Sequence, residues 1–176
     1  MSRQLTGAPI EEQVSREEAV AMAHYLGHGA GERFIRRETV EKLPLGKCGV
    51  ALLIGCSSGH LSVHGTFEPV GMSAAYLSAG CPAVVANLWD VTDRDIDRVT
   101  EHLLSGWAGL PTPANYGEAE EGTSSAAAGS GRRGADEGGV SLLESLANSR
   151  AACKLQNLIG CAPVCYGVPV QSANRA

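Results

Sequence analysis

Three short apolar runs, each cut off by turn-forming residues, constrain this chain more than any other feature. Residues 19–26 read Ala-Val-Ala-Met-Ala-His-Tyr-Leu and stop at Gly27-His-Gly-Ala-Gly31. Residues 49–54 read Gly-Val-Ala-Leu-Leu-Ile and stop at Gly55-Cys-Ser-Ser-Gly59. Residues 82–89 read Pro-Ala-Val-Val-Ala-Asn-Leu-Trp and stop at Asp90-Val-Thr-Asp93. A short, continuous apolar run with no alternation fits a strand buried on both faces.

The segments between the runs carry helical spacing. Met72, Ala75, Tyr76 and Ala79 fall at i, i+3, i+4 and i+7, and Gly80 and Pro82 supply a stop. Residues 33–43 predict a short helix between the first two strands. Thr92 predicts an N-cap for a helix from Asp93 to about Leu104, with Asp95 at the third helical position, close to a capping box, and Gly106 as its stop. Residues 142–155 predict a further helix, and 157–170 a short final strand. Strand and helix in alternation predict an α/β fold, a mainly parallel sheet flanked by helices. Sites in such sheets form beyond the carboxyl ends of the strands, so the three terminating motifs are expected at one edge. Residues 1–16 are polar and show no period. Residues 111–140 draw 16 of 30 from Gly, Ala and Ser, which predicts a flexible insertion within a single domain, 1–176.

Composition excludes several partners. Lys plus Arg is 14 and Asp plus Glu 19, a net charge of −5, which disfavours nucleic acid and anionic membranes. No apolar stretch reaches the ~18 residues of a membrane helix, and the start lacks a signal peptide, so an intracellular, soluble protein is expected. The six cysteines are then expected as thiols, and no Cys-x-x-Cys pair suggests zinc. His24 and His28 are four apart, but the glycines at 27, 29 and 31 argue against the helix that a shared metal needs. His60 and His64 read as polar loop residues. Neither metal nor cofactor is expected.

Two residues stand out for chemistry. His28 sits between glycines, and Gly29 lets backbone approach a reacting atom. Cys56 follows its apolar run directly, among small residues, where a strand gives out and a thiolate is presented on a fixed scaffold. A cysteine with a histidine from a neighbouring strand end is the minimal apparatus for acyl transfer. The same segment also fits Gly-x-Ser-x-Gly, with Ser57 as a serine-hydrolase nucleophile and Asp93 and His102 as formal partners. His102 inside a predicted helix argues against that reading. Asp90, Asp93, Asp95 and Asp97 suit helix capping and the macrodipole. Asp90 and Asp93 also stand at a strand's carboxyl end, where a carboxylate can pair a substrate arginine.

Together these motifs resemble the catalytic domain of separase, a caspase-like cysteine endopeptidase. The resemblance rests on Tyr-Leu-Gly-His-Gly-Ala-Gly (25–31), Ile-Gly-Cys-Ser-Ser-Gly (54–59), Ala-Gly-Cys-Pro (79–82) and Asn-Leu-Trp-Asp-Val-Thr-Asp-Arg-Asp-Ile-Asp (87–97). The tail Leu-Ile-Gly-Cys-Ala-Pro-Val-Cys-Tyr-Gly-Val-Pro-Val (158–170) is similar to the end of that family's chain. The likeness covers roughly residues 22–110 and 141–170 and leaves the 111–140 insertion without a counterpart.

The resemblance implies a caspase-like fold with His28 and Cys56 as catalytic residues. It implies cleavage after arginine in the kleisin subunit of cohesin, releasing sister chromatids at anaphase in mitosis and meiosis. A securin-like inhibitor and action in cytoplasm and nucleus follow from it. The backbone N–H groups of Gly29 and Cys56 are expected to form the oxyanion hole. Asp93, then Asp90, then Glu68 are the candidates for the arginine. Caspase-like domains carry a strand and helix ahead of the histidine strand, and the short polar start leaves no evident room for them. A domain incomplete at its amino end is therefore expected, and a non-catalytic remnant that binds partners is the alternative.

Overall fold

Every position of β3 (Val50–Leu53) and β4 (Ala83–Asn87) is buried, and the reason is that helices cover both faces of the sheet they form. The computed structural model describes residues 2–4, 22–110, 139–168 and 170–172. Its sheet has the order β1-β2-β3-β4-β5, with β1 at Ser2–Gln4, β2 at Met22–Tyr25 and β5 at Pro163–Gly167. The first three pairings are parallel, and β5 runs antiparallel to β4. The α/β class, a mainly parallel sheet between helices, is the one expected.

Alternate strand residues feed two cores. Ala51, Leu53, Val84 and Ala86 pack with Val40 of α1 (Arg37–Val40) and Met72, Ala75 and Tyr76 of α2 (Met72–Ser78). Val50, Leu52, Ala83 and Val85 pack with Ile96, Val99, Leu103 and Trp107 of α3 (Asp93–Ala108) and Leu142 and Leu146 of α4 (Leu142–Ser149). Each fully buried aliphatic or aromatic side chain is worth about 1.5–3 kcal/mol relative to exposure, so the two layers jointly hold the strands in register.

Several boundaries differ from expectation, each for a physical reason. A strand does precede β2. β1 pairs Ser2 with Met22 through Gln4 with His24, and three residues at a sheet edge need no apolar pattern of their own. A helix between β1 and β2 would fall on residues 5–21, outside the described residues. The helix expected at 33–43 is one turn, because Arg36 is extended (ψ 145°), while Phe34 and Ile35 donate back to the Gly31 carbonyl in a separate turn. α3 runs past Gly106 to Ala108. Burying Trp107 in the second core outweighs the ~1 kcal/mol that a helical glycine costs, and the stop is Gly109, left-handed at φ 62°, with Leu110 N–H donating to Leu104 O. Thr92 makes no side-chain cap and Asp95 closes no capping box; Asp95 is instead buried, near Arg98 (3.5 Å) and the Lys154 N–H (3.4 Å). α4 ends at Ser149 and tightens into a 3-10 turn, Arg150–Ala152. The insertion expected at 111–140 lies outside the described residues up to 138. Among the described residues, no helix is long and apolar enough to cross a membrane.

Candidate active site

Register alone brings the two candidate loops to one edge. Tyr25 of β2 pairs with Leu53 of β3, and His28 and Cys56 each follow three residues later. The loops then touch through glycine. A Cβ at Gly55 would collide with the carbonyl oxygens of Gly27 and Gly29, so the backbone just before Cys56 lies directly against the backbone on either side of His28. Any larger residue at 55 would push the two loops apart. The histidine loop is also fixed from below, since Tyr25 Oη donates to His28 O (3.0 Å) and Ile54 N–H to Tyr25 O (2.9 Å). Gly29 is left-handed at φ 67°, which a side chain adopts only with strain. The His28 side chain is exposed.

The cysteine loop is clasped on its other side by the end of β4. Ser57 N–H donates to Trp89 O (3.1 Å), Ser57 Oγ to Asp90 Oδ1 (2.6 Å) and Gly59 N–H to Asn87 O (2.8 Å). Ser58 Oγ accepts from Asn87 N–H (3.0 Å) and donates to Leu53 O, so a buried hydroxyl ties β3 to β4. Tyr166 of β5 donates its hydroxyl to Gly59 O (3.0 Å). These bonds hold Ser57 at φ 52°, a left-handed conformation that costs a non-glycine residue about 1–3 kcal/mol. The strain buys a sharp turn immediately after Cys56. The half-buried Cys56 Sγ lies 3.2 Å from Val91 O, in position to donate to it.

The other candidates separate clearly. Ser57 Oγ bonds a carboxylate, Asp90, rather than a histidine, and His102 is exposed on α3. The Gly-x-Ser-x-Gly spacing thus shapes a turn. Asp90, expected as a second arginine acceptor, already holds the Ser57 hydroxyl. Asp93 opens α3 and is exposed. Asp97 stands one helical turn on, its carboxyl pushed up first by partial burial and then by the Asp93 charge. Asp97, at i, i+4 spacing from Asp93, reads in the sequence only as helix charge. Asn87, not among the sequence candidates, is wholly buried at the end of β4 and donates its Nδ2 to Gly55 O (3.0 Å). Its signal was a polar residue inside an apolar run. Glu68 sits exposed in the loop closed by the Ser62–Val70 bridge. Among the described residues, no group of three or more His, Cys, Asp or Glu side chains is arranged to hold a metal ion.

A thiol and an imidazole carried on touching loops, over glycine-rich backbone, have the makings of nucleophilic acyl transfer. Comparison with known proteins places the chain in a protease family. The family model described as separin, protease domain, matches residues 3–96, more than half of the chain. The separin of Emericella nidulans is 44% identical over 148 residues, 82% of this chain and 6% of that protein. The separin of Mus musculus is 44% identical over 147 residues, 83% of this chain and 6% of that protein. A crystal structure of the Saccharomyces cerevisiae separase–securin complex superposes with a TM-score of 0.64 at 34% identity, covering 86% of this chain and 9% of that one. The chain therefore spans less than a tenth of the length of the relatives it matches.

Proposed function

The chain belongs to the separin protease family, and from that premise we propose that it is a cysteine endopeptidase domain cleaving after arginine in the kleisin subunit of cohesin, which releases sister chromatids at anaphase. The observation that carries this reading is the contact between the His28 and Cys56 loops through Gly55. Cys56 attacks the scissile carbonyl as the thiolate, its proton having passed to His28. The backbone N–H groups of Gly29 and Cys56 receive the developing oxyanion. His28 returns its proton to the leaving amine, and water hydrolyses the thioester to regenerate the thiol. The substrate arginine pairs with Asp93. Asp97 stands one helical turn from Asp93, so a second carboxylate lies within reach of the same cation.

A securin-like inhibitor as partner is supported by the solved relatives, which are separase–securin complexes. Action in cytoplasm and nucleus follows from the same reading, with no nucleic acid or membrane as a direct partner.

The test is cleavage of an arginine-containing kleisin peptide. Cys56→Ser lowers the rate by about 10³-fold or more, as removing a catalytic nucleophile does. Ser57→Ala costs much less, because it loses only the bond to Asp90 that shapes the turn. A chain inactivated by Ser57→Ala but not by Cys56→Ser is a serine hydrolase.

A further inference from the structure

Asn87 ends an apolar strand with a primary amide that is 0% exposed. Its Nδ2 donates to Gly55 O at 3.0 Å, whereas its Oδ1 is buried without a partner. The amide orientation is fixed by this pairing, since only the nitrogen can donate to a carbonyl. A buried acceptor left unsatisfied costs about 1–3 kcal/mol. An apolar residue of the same shape would avoid that cost, so stability does not explain an amide here.

The explanation lies in the peptide it holds. In a trans peptide the C=O and the following N–H point in opposite directions. Gly55 O and Cys56 N–H belong to one such unit. Drawing Gly55 O toward Asn87 therefore aims Cys56 N–H away from β4. Ser58 N–H also reaches Gly55 O, at 3.3 Å, but it belongs to the same turn and moves with it. Asn87 is anchored apart from the turn by its place in β4, where it pairs with Pro163 of β5. A donor on the carbonyl also polarises the unit and strengthens the N–H at its other end.

We infer that Asn87 is a positioning residue that sets the direction and strength of the Cys56 N–H as an oxyanion donor. This inference rests on the cysteine-protease reading above, and the experiment separates the two. Wild type, Asn87→Leu and Asn87→Asp are compared in three measurements. The first is affinity for an arginine-terminated peptide aldehyde, whose carbonyl carbon adds the Cys56 sulfur while its oxygen takes the proton and occupies the oxyanion site. The second is the rate at which iodoacetamide alkylates Cys56, a displacement of iodide that develops no oxyanion. The third is Tm.

Asn87→Leu is expected to weaken the aldehyde about 10²-fold, in line with loss of one oxyanion donor. Alkylation stays within about twofold, since a displacement with no oxyanion does not use the donor, and Tm is held because the unsatisfied Oδ1 is gone. Asn87→Asp, which turns an acceptor toward Gly55 O, weakens the aldehyde further. Aldehyde affinity unchanged in both variants overturns the inference. So does a parallel fall in aldehyde affinity and alkylation, or the failure of both variants to fold, because each makes Asn87 a support of the loop and nothing more. A wild-type Cys56 inert to aldehyde and iodoacetamide alike overturns the protease reading itself.

Discussion

The two edges of the sheet carry the same side chain to opposite ends. At the amino edge, Cys48 precedes β3 and Cys81 precedes β4, in register with each other by extension of the Ala51–Val84 pairing. Both are buried (3% and 2% exposed), and each thiol donates to the carbonyl two residues on, Val50 O at 3.3 Å and Ala83 O at 3.2 Å. The two thiols lie close enough to couple, which, with burial, pushes the Cys81 thiol up. At the carboxyl edge, Cys56 is half-exposed on a strained turn, beside a loop that holds an exposed histidine. A cysteine's exposure thus differs between the two ends of these strands. The amino edge is packed under α1 and α2, and the carboxyl edge is built of loops tied to one another.

The comparison breaks most severely at Gly55. Gly55→Ala drives a methyl into the Gly27 and Gly29 carbonyls, and the two loops must separate. Loss of peptidase activity by about 10²-fold or more is expected, since misplacement of about 1 Å costs that much, with the cores under the amino edge intact by near-UV circular dichroism. Wild-type kcat/KM in this variant would mean the loop contact is not what assembles the site.

A smaller and more selective effect is expected at α3. Asp93→Asn keeps shape but deletes a charge, and arginine substrates lose about tenfold in kcat/KM, on the scale of one exposed-to-partly-buried charge-assisted bond. A substrate with a neutral residue at that position is unaffected. Asp90→Asn is the control, acting through the Ser57 turn on both substrates equally. Equal losses on both substrates in Asp93→Asn would move the arginine's partner elsewhere, with Asp97 and then Glu68 the next to substitute.

The smallest effect tests the amino edge by pH. Tyr76 is buried beside the Cys48–Cys81 pair, and burial first, the two thiols second, push its hydroxyl up to about 12. The unfolded chain releases this proton near pH 10, so the folded state's resistance is a stability loss that grows from pH 10 to about 12. The two-unit gap corresponds to about 2–3 kcal/mol. Alkaline denaturation of wild type against Tyr76→Phe measures it: the variant loses less stability over that window. An identical profile would mean Tyr76 opens to water without unfolding.

Strands and helices were legible because burial on both faces removes polar residues from β3 and β4, leaving runs that glycine and aspartate visibly end. The edge strand β1 was not, since three residues at a sheet edge need no apolar pattern of their own. The one-turn α1 and the overrun of α3 past Gly106 were set by tertiary packing, at Ile35 and Trp107, against local preference. His28 and Cys56 stood out through the glycines around them. Tyr25 and Tyr166 did not, because a residue that holds a loop through one hydrogen bond looks in sequence like part of the core, and Asn87 showed only as one polar residue in an apolar run. Asp97 reads as helix charge, and its i, i+4 spacing from Asp93 is the one sign of their proximity.

The difference between the edges predicts that Cys56 reacts first, beside a site that takes arginine, while Cys48 and Cys81 stay closed to reagent. Mass spectrometry after brief exposure to an arginine-terminated electrophile, such as an acyloxymethyl ketone, tests it directly. The account predicts a single adduct at Cys56, absent with the glutamate-terminated analogue and absent in His28→Ala, with Cys48 and Cys81 unmodified until the chain is unfolded. Adducts spread over Cys48, Cys81 and Cys56 alike, or equal labelling of Cys56 by both analogues, would contradict it.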